Sequence, residues 1–226
     1  YRVDAVNANG TASSAPASIT LVKTPDDLAT VAVGNDVKLT WTDNSTVETS
    51  YVVQRSTDGI TWTDAGTVAA VTGSGSTVTY TDASAPSDKD LQYQVKAEKG
   101  SDWDLSNIAG VSFLPAPSDL TATGAPDGAV KLDWVNHSTT AQNVVVHRSS
   151  DGGTTWTTVA TLAASATTYT DTDVTRGSTY LYQVGAVGAY GTSWSASASL
   201  TVVLAPTDVK LTVTAGPVVN VTWTDA

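Results

Sequence analysis

The sequence predicts an all-β chain of tandem seven-stranded antiparallel β-sandwiches, and three observations predict it. Val37-Lys38-Leu39-Thr40-Trp41, Val130-Lys131-Leu132-Asp133-Trp134 and Val219-Asn220-Val221-Thr222-Trp223 are one alternating strand ending in Trp, at spacings of 93 and 89 residues. Tyr1, Tyr93 and Tyr182 each open a Tyr-x-Val-x-Ala strand, at spacings of 92 and 89. Between these markers lie short period-two runs bounded by turn residues, and no window sustains a helical period. The repeating unit is a domain of about 90 residues, too long for a solenoid repeat.

The strands of the first full repeat follow in order. Pro25 ends a linker, and Leu28–Val33 form a first strand that Gly34-Asn35 turns into Val37–Trp41. There the odd positions face inward, while Lys38 and Thr40 face solvent. A polar loop, Asp43–Ser50, leads to Tyr51–Arg55, and Asp58-Gly59 returns the chain through Ile60–Val68 around Trp62. Thr77–Thr81 is a short strand before the loop Asp82–Asp90. Leu91–Ala97 alternates again, the loop Lys99–Ser106 follows, and Asn107–Phe113 is the last strand.

The repeat phase sets the expected domains. Residues 1–22 register without a gap on 182–203, with Gly10 on Gly191, Thr11 on Thr192 and Ser14 on Ser195. Residues 1–24 therefore read as the last two strands of a repeat, 25–115 and 116–205 as complete sandwiches, and 206–226 as the first two strands of another. This phase is that of an excerpt from a longer array. Each part-repeat is expected to be completed by a neighbouring stretch of the same polymer or by strand exchange with another subunit. Thr24-Pro25, Pro115-Ala116-Pro117 and Ala205-Pro206 join the units with proline and no Gly-Ser run, so semi-stiff junctions are expected.

Composition narrows the partners. The formal charge is −11 and the pI about 4.3, with eleven Lys and Arg scattered along the chain, which argues against nucleic acid and anionic membranes. Nearly all the acid is Asp, with Glu only at 48 and 98, as a turn-rich β chain should show. No Cys is present, which removes disulfides, thiolate metal sites and Cys nucleophiles. No apolar stretch is long enough to span a membrane.

The succession Pro-x-x-Leu, Leu-x-Trp, Tyr-x-Val-x-Arg-Ser and Tyr-x-Val-x-Ala resembles the fibronectin type III repeat of the immunoglobulin-like sandwiches, in its bacterial extracellular style. Asp58-Gly59 before Trp62 and Asp151-Gly152-Gly153 before Trp156 fit that style. The resemblance implies a corner hydrogen bond from a Tyr near the start of the sixth strand. Tyr180 matches that position, and the first repeat has Leu91 there. The Arg-Gly-Asp of integrin-binding members is here Arg176-Gly177-Ser178, so that activity is not implied.

Several residues are candidates for chemistry. His137 and His147 occupy non-equivalent places, and no Ser lies in a nucleophile elbow, so no enzymatic activity is expected. No cofactor is expected beyond calcium, for which the pairs Asp102/Asp104 and Asp171/Asp173 are candidates, against the plainer reading of solvated turn acids. Trp41, Trp134 and Trp223 are expected in the core, and Trp62 and Trp156 in half-exposed structural places. Trp103, Trp194 and Tyr190 are candidates for packing on a neighbouring domain or for contact with glycan. Asn9, Asn44, Asn136 and Asn220 head Asn-x-Ser/Thr sequons. The expected function is structural or adhesive: a spacer and assembly segment of a long extracellular surface protein or filament. Its partners would be other copies or neighbouring repeats of the same protein, and cell-surface polysaccharide. The alternative is a non-catalytic spacer in a secreted polysaccharide-degrading enzyme.

Overall fold

The computed structural model describes residues 1–214, 216 and 218–224; residues 215, 217, 225 and 226 of the fourth part-repeat lie outside the described residues. The first part-repeat forms β1 (Asp4–Asn7) and β2 (Gly10–Ser13). The first full repeat forms β3 (Asp26–Val33), β4 (Asp36–Thr42), β5 (Ser50–Ser56), β6 (Thr63–Ala69), β7 (Thr77–Asp82), β8 (Lys89–Lys99), β9 (Asp102–Leu105) and β10 (Ala109–Phe113). The second follows with β11 (Ser118–Gly124), β12 (Val130–Val135), β13 (Asn143–Ser149), β14 (Thr157–Ala163), β15 (Thr168–Asp171), β16 (Thr179–Val187), β17 (Thr192–Trp194) and β18 (Ala198–Thr201). β19 (Thr207–Thr214) and β20 (Val218–Thr224) close the chain as a hairpin.

Each full repeat builds two antiparallel sheets. The order β3-β4-β7 recurs as β11-β12-β15, and β10-β8-β5-β6, with β9 also on β8, recurs as β14-β13-β16 with β17 and β18 on β16. The inner faces meet as the alternation predicts. Val130, Leu132 and Trp134 of one sheet pack with Val144, Val146, Tyr182 and Val184 of the other. In the first repeat Val37, Leu39 and Trp41 are buried, as are Tyr51, Val53, Tyr93 and Val95, and the Trp41 and Tyr51 rings meet edge-on at 5.4 Å.

Three features depart from the expected strands. The stretch read as the loop Lys99–Ser106 contains β9, so the seventh strand is laid down in two pieces on β8. The cause is a serine. Ser106 N donates to Val95 O at 2.9 Å, and Val95 N donates to Ser106 Oγ at 2.9 Å, so one residue satisfies both ladder groups and the chain steps out before β10. Ser14 does the same with Val3 and Ser195 with Val184. Second, β6 begins after Trp62, whose ring precedes the ladder instead of sitting within it. Third, the first strand of every repeat carries a bulge at an Asp: Asp27, Asp119 and Asp208 have φ of 53°, 53° and 54°. Asp tolerates that left-handed conformation far better than a β-branched residue.

The third Trp of the repeat pattern behaves differently from the others. Trp223 is 58% exposed, because β19 and β20 form a two-stranded sheet with no second sheet over it among the described residues. Contacts divide the chain into two compact units, Tyr1–Ala85 with Leu91–Gly110, and Pro86–Asp90 with Val111–Ala226.

Candidate functional site

The polar residues that recur with the repeat form a buried triad between the sheets. In the first repeat Arg55 of β5 pairs through Nη1 with Asp82 Oδ2 at 2.5 Å, and Tyr93 of β8 donates its hydroxyl to the same oxygen at 2.9 Å. Asp82 is fully buried at the end of β7, so the triad ties one sheet to the other. The second repeat repeats it atom for atom: Arg148 to Asp171 Oδ2 at 2.9 Å and Tyr182 hydroxyl to Asp171 Oδ2 at 3.0 Å. Burial pushes the Asp82 carboxyl up, but hydrogen bonds from Ser84, Tyr93 and Arg55 outweigh it and hold the group below the usual carboxylate range. Burial, then the Asp82 charge, drives the Tyr93 phenol well above its ordinary value.

This triad decides the surroundings of one calcium candidate pair. Asp171 and Asp173 converge on the Arg148 guanidinium, whose Nη2 lies 3.6 Å from Asp173 Oδ2 and whose Nη1 donates to the Asp173 carbonyl. A guanidinium already meets these carboxylates where a cation would sit. The other pair holds the incoming linker. Val22 N donates to Asp102 Oδ2 at 2.8 Å, Thr24 Oγ1 to Asp104 Oδ2 at 2.5 Å, and Asn44 Nδ2 to Thr24 O at 3.1 Å.

A third carboxylate does similar work without any sequence signal that marked it. Asp88 lies in the second unit with φ +57°. It accepts from Ser138 Oγ at 2.5 Å, Thr139 N at 2.9 Å, Thr139 Oγ1 at 2.6 Å and Thr140 Oγ1 at 3.0 Å. Burial raises the Asp88 carboxyl, and the hydrogen bonds from Ser138, Thr139 and Thr140 more than reverse it. In the same unit Asp90 accepts from Ser112 Oγ and Ala189 N, Tyr190 N donates to Ser112 Oγ, and Leu114 packs with Ala141 and Ala186.

The aromatic candidates separate. Trp103, on β9, is 56% exposed, and Tyr190 is exposed on its turn. Trp194 is half-buried on β17 against its own sheet: its ring lies 4.2 Å from the His147 ring and over Gly185, where a Cβ would come within 2.8 Å of it. Burial among these groups holds His147 below its usual range. Tyr180 Oη accepts from Thr175 N at 3.1 Å, the corner bond that the resemblance implies. Of the sequon residues, Asn9 is exposed in the β1–β2 turn and Asn220 on β20, whereas Asn44 and Asn136 are half-buried with their amide nitrogens donating to Thr24 O and Ala164 O. His137 meets Ser118 and His147 meets Thr158, two separate surface contacts. No group of three or more His, Cys, Asp or Glu gathers around a common point among the described residues.

The topology and shared core define a class, tandem antiparallel β-sandwiches, and comparison with known proteins adds the family. No protein-family model matches the chain, and no curated protein does. Among solved structures, an Fn3-like protein from Clostridium thermocellum is 36% identical, over 38% of this chain and 91% of that one, with a TM-score of 0.35. The FN1–FN3 domains of chicken CNTN1 match 89% of this chain and 76% of that one at 12% identity and a TM-score of 0.41. A two-domain fibronectin type III segment of chicken tenascin matches 78% and 98% at 15% and 0.44. With 36% identity across nearly the whole of the clostridial protein, this chain belongs to the fibronectin type III family and carries its repeats in tandem.

Proposed function

We propose that the chain is a non-enzymatic, semi-stiff spacer and assembly segment of a long multi-repeat extracellular surface protein or filament. The observation that carries this reading is the use of its carboxylates. Asp102, Asp104, Asp88 and Asp90 are engaged in holding linker and loop backbone, and Asp82 and Asp171 in tying sheets together. Such a distribution stiffens a string of small sandwiches. Partners are other copies or neighbouring repeats of the same protein, with cell-surface polysaccharide as the ligand suited to the exposed Trp103. A formal charge of −11 supports a place among neutral or cationic surfaces away from nucleic acid.

The test is electron microscopy of the native material beside light scattering of the purified chain. Regular arrays with a repeat set by units of about 90 residues are expected. Dispersed monomers in both experiments would overturn the assembly reading and favour a spacer within a secreted polysaccharide-degrading enzyme.

A further inference from the structure

The calcium candidates that spacing singled out are engaged elsewhere, but the first repeat buries two other carboxylates with no countercharge. Asp43, just after β4, is 1% exposed, and Glu48, two residues before β5, is 7% exposed. Among the described residues no Lys or Arg forms an ion pair with either. Asp43 Oδ1 accepts from Ser45 N at 2.9 Å, and Asp43 Oδ2 is buried without a partner. Glu48 Oε2 accepts from Val47 N at 3.1 Å and Oε1 from the Tyr51 hydroxyl at 3.2 Å.

Two buried negative charges in one loop are strongly unfavourable unless something positive joins them. The second repeat shows what the site looks like without that requirement. At the equivalent positions it has Asn136, Ala141 and Val144, so both charges and the phenol are replaced together. The orphaned Trp41 indole N–H does not distinguish the site, since Trp134, in the repeat that lacks acids at these two positions, is equally unpartnered. What distinguishes it is the two buried acids without an ion-pair partner, the bare Asp43 Oδ2 and the phenol hydroxyl on Glu48.

We infer that Asp43, Glu48 and Tyr51 form a binding site for one hard divalent cation of the calcium class. All the donors are oxygen, which selects such an ion over zinc or copper. A 2+ charge neutralises the two carboxylates, and water completes the shell. Binding fixes the β4–β5 loop, where Asn44 already holds the linker carbonyl of Thr24. The site is independent of whether the chain assembles.

Calcium itself, and terbium as its luminescent substitute, are the probes, on the full chain. Trp41 and Tyr51 lie 5.4 Å apart and are placed to sensitise terbium emission. Wild type is expected to show sensitised emission that calcium displaces. Its melting temperature should be ~10 °C higher with a hundredfold excess of calcium over Kd than in chelator. The triple variant Asp43→Asn, Glu48→Ala, Tyr51→Val installs the residues of the second repeat. It should melt cooperatively in chelator, give at least tenfold less emission and show no calcium-dependent shift. Glu48→Gln, with nearly unchanged shape, should weaken calcium binding at least tenfold. Equal melting of wild type in calcium and chelator, or emission that survives the triple variant, would overturn the inference.

Discussion

Single residues decide whether each sandwich closes. Trp41 is 1% exposed and Trp134 buried at the same strand position, and truncating either removes an indole that neither sheet can collapse to replace. Trp41→Ala or Trp134→Ala should cost roughly 3–5 kcal/mol in a denaturant titration, a large share of the stability of a small domain. Arg55→Met should be nearly as costly, about 3–5 kcal/mol, because it leaves Asp82 buried without its cation. Asp88 adds a pH dependence of definite sign. Its folded carboxyl titrates below the ordinary value, so its contribution is complete above about pH 5, the unfolded group being ionised there, and is lost as acid protonates the folded one. In melting curves from pH 7 to pH 3, the gap between wild type and Asp88→Ala should hold down to about pH 5 and shrink below it; a gap that widens in acid would contradict the assignment. Residues at this scale were unequally legible in the sequence. Trp41 and Trp134 announce themselves by alternation, and Tyr180 through the resemblance to the fibronectin type III repeat. Asp88, Asp43 and Glu48 do not, because what marks them is a partner, or a missing partner, brought from elsewhere by the fold.

Elements were legible wherever period-two alternation alone sets the strand. Val37–Trp41, Tyr51–Arg55 and Leu91–Ala97 all lie inside β4, β5 and β8. Alternation fails where a side chain replaces a backbone partner, and that is why β9 was hidden inside an expected loop. Ser195→Ala should therefore leave Val184 N unpaired at the strand break and cost about 1–3 kcal/mol, while Ser199→Ala, on exposed β18, should be nearly neutral. The Asp bulges escaped for a related reason: a left-handed Asp within Pro-x-Asp reads locally as a turn, yet β3, β11 and β19 continue through it. Gly66 makes a further element-scale test. Its Cβ would lie 2.1 Å from the Tyr80 hydroxyl, which donates to Ala65 O at 2.7 Å, so Gly66→Ala should displace the tyrosine and cost roughly 1–3 kcal/mol by urea melting.

For the whole molecule, the repeat period made the tandem organisation legible before any strand was placed. The short proline linkers pointed to stiffness, but proline only restricts φ; the structure adds carboxylates that pin the linker itself. Val22 and Thr24 are held by Asp102 and Asp104, two acids whose spacing suggested calcium and whose partners lie about 80 residues away, in the linker before the same repeat. A spacer that holds its linkers makes one direct demand, best read by amide hydrogen exchange at Val22 in the intact chain. This amide should be protected well beyond an unstructured peptide, and Asp102→Ala should bring it close to the free-chain rate while the core amides of β5 and β8 stay protected. Exchange at the free-chain rate in the wild-type protein would contradict a held linker, and with it the semi-stiff spacer.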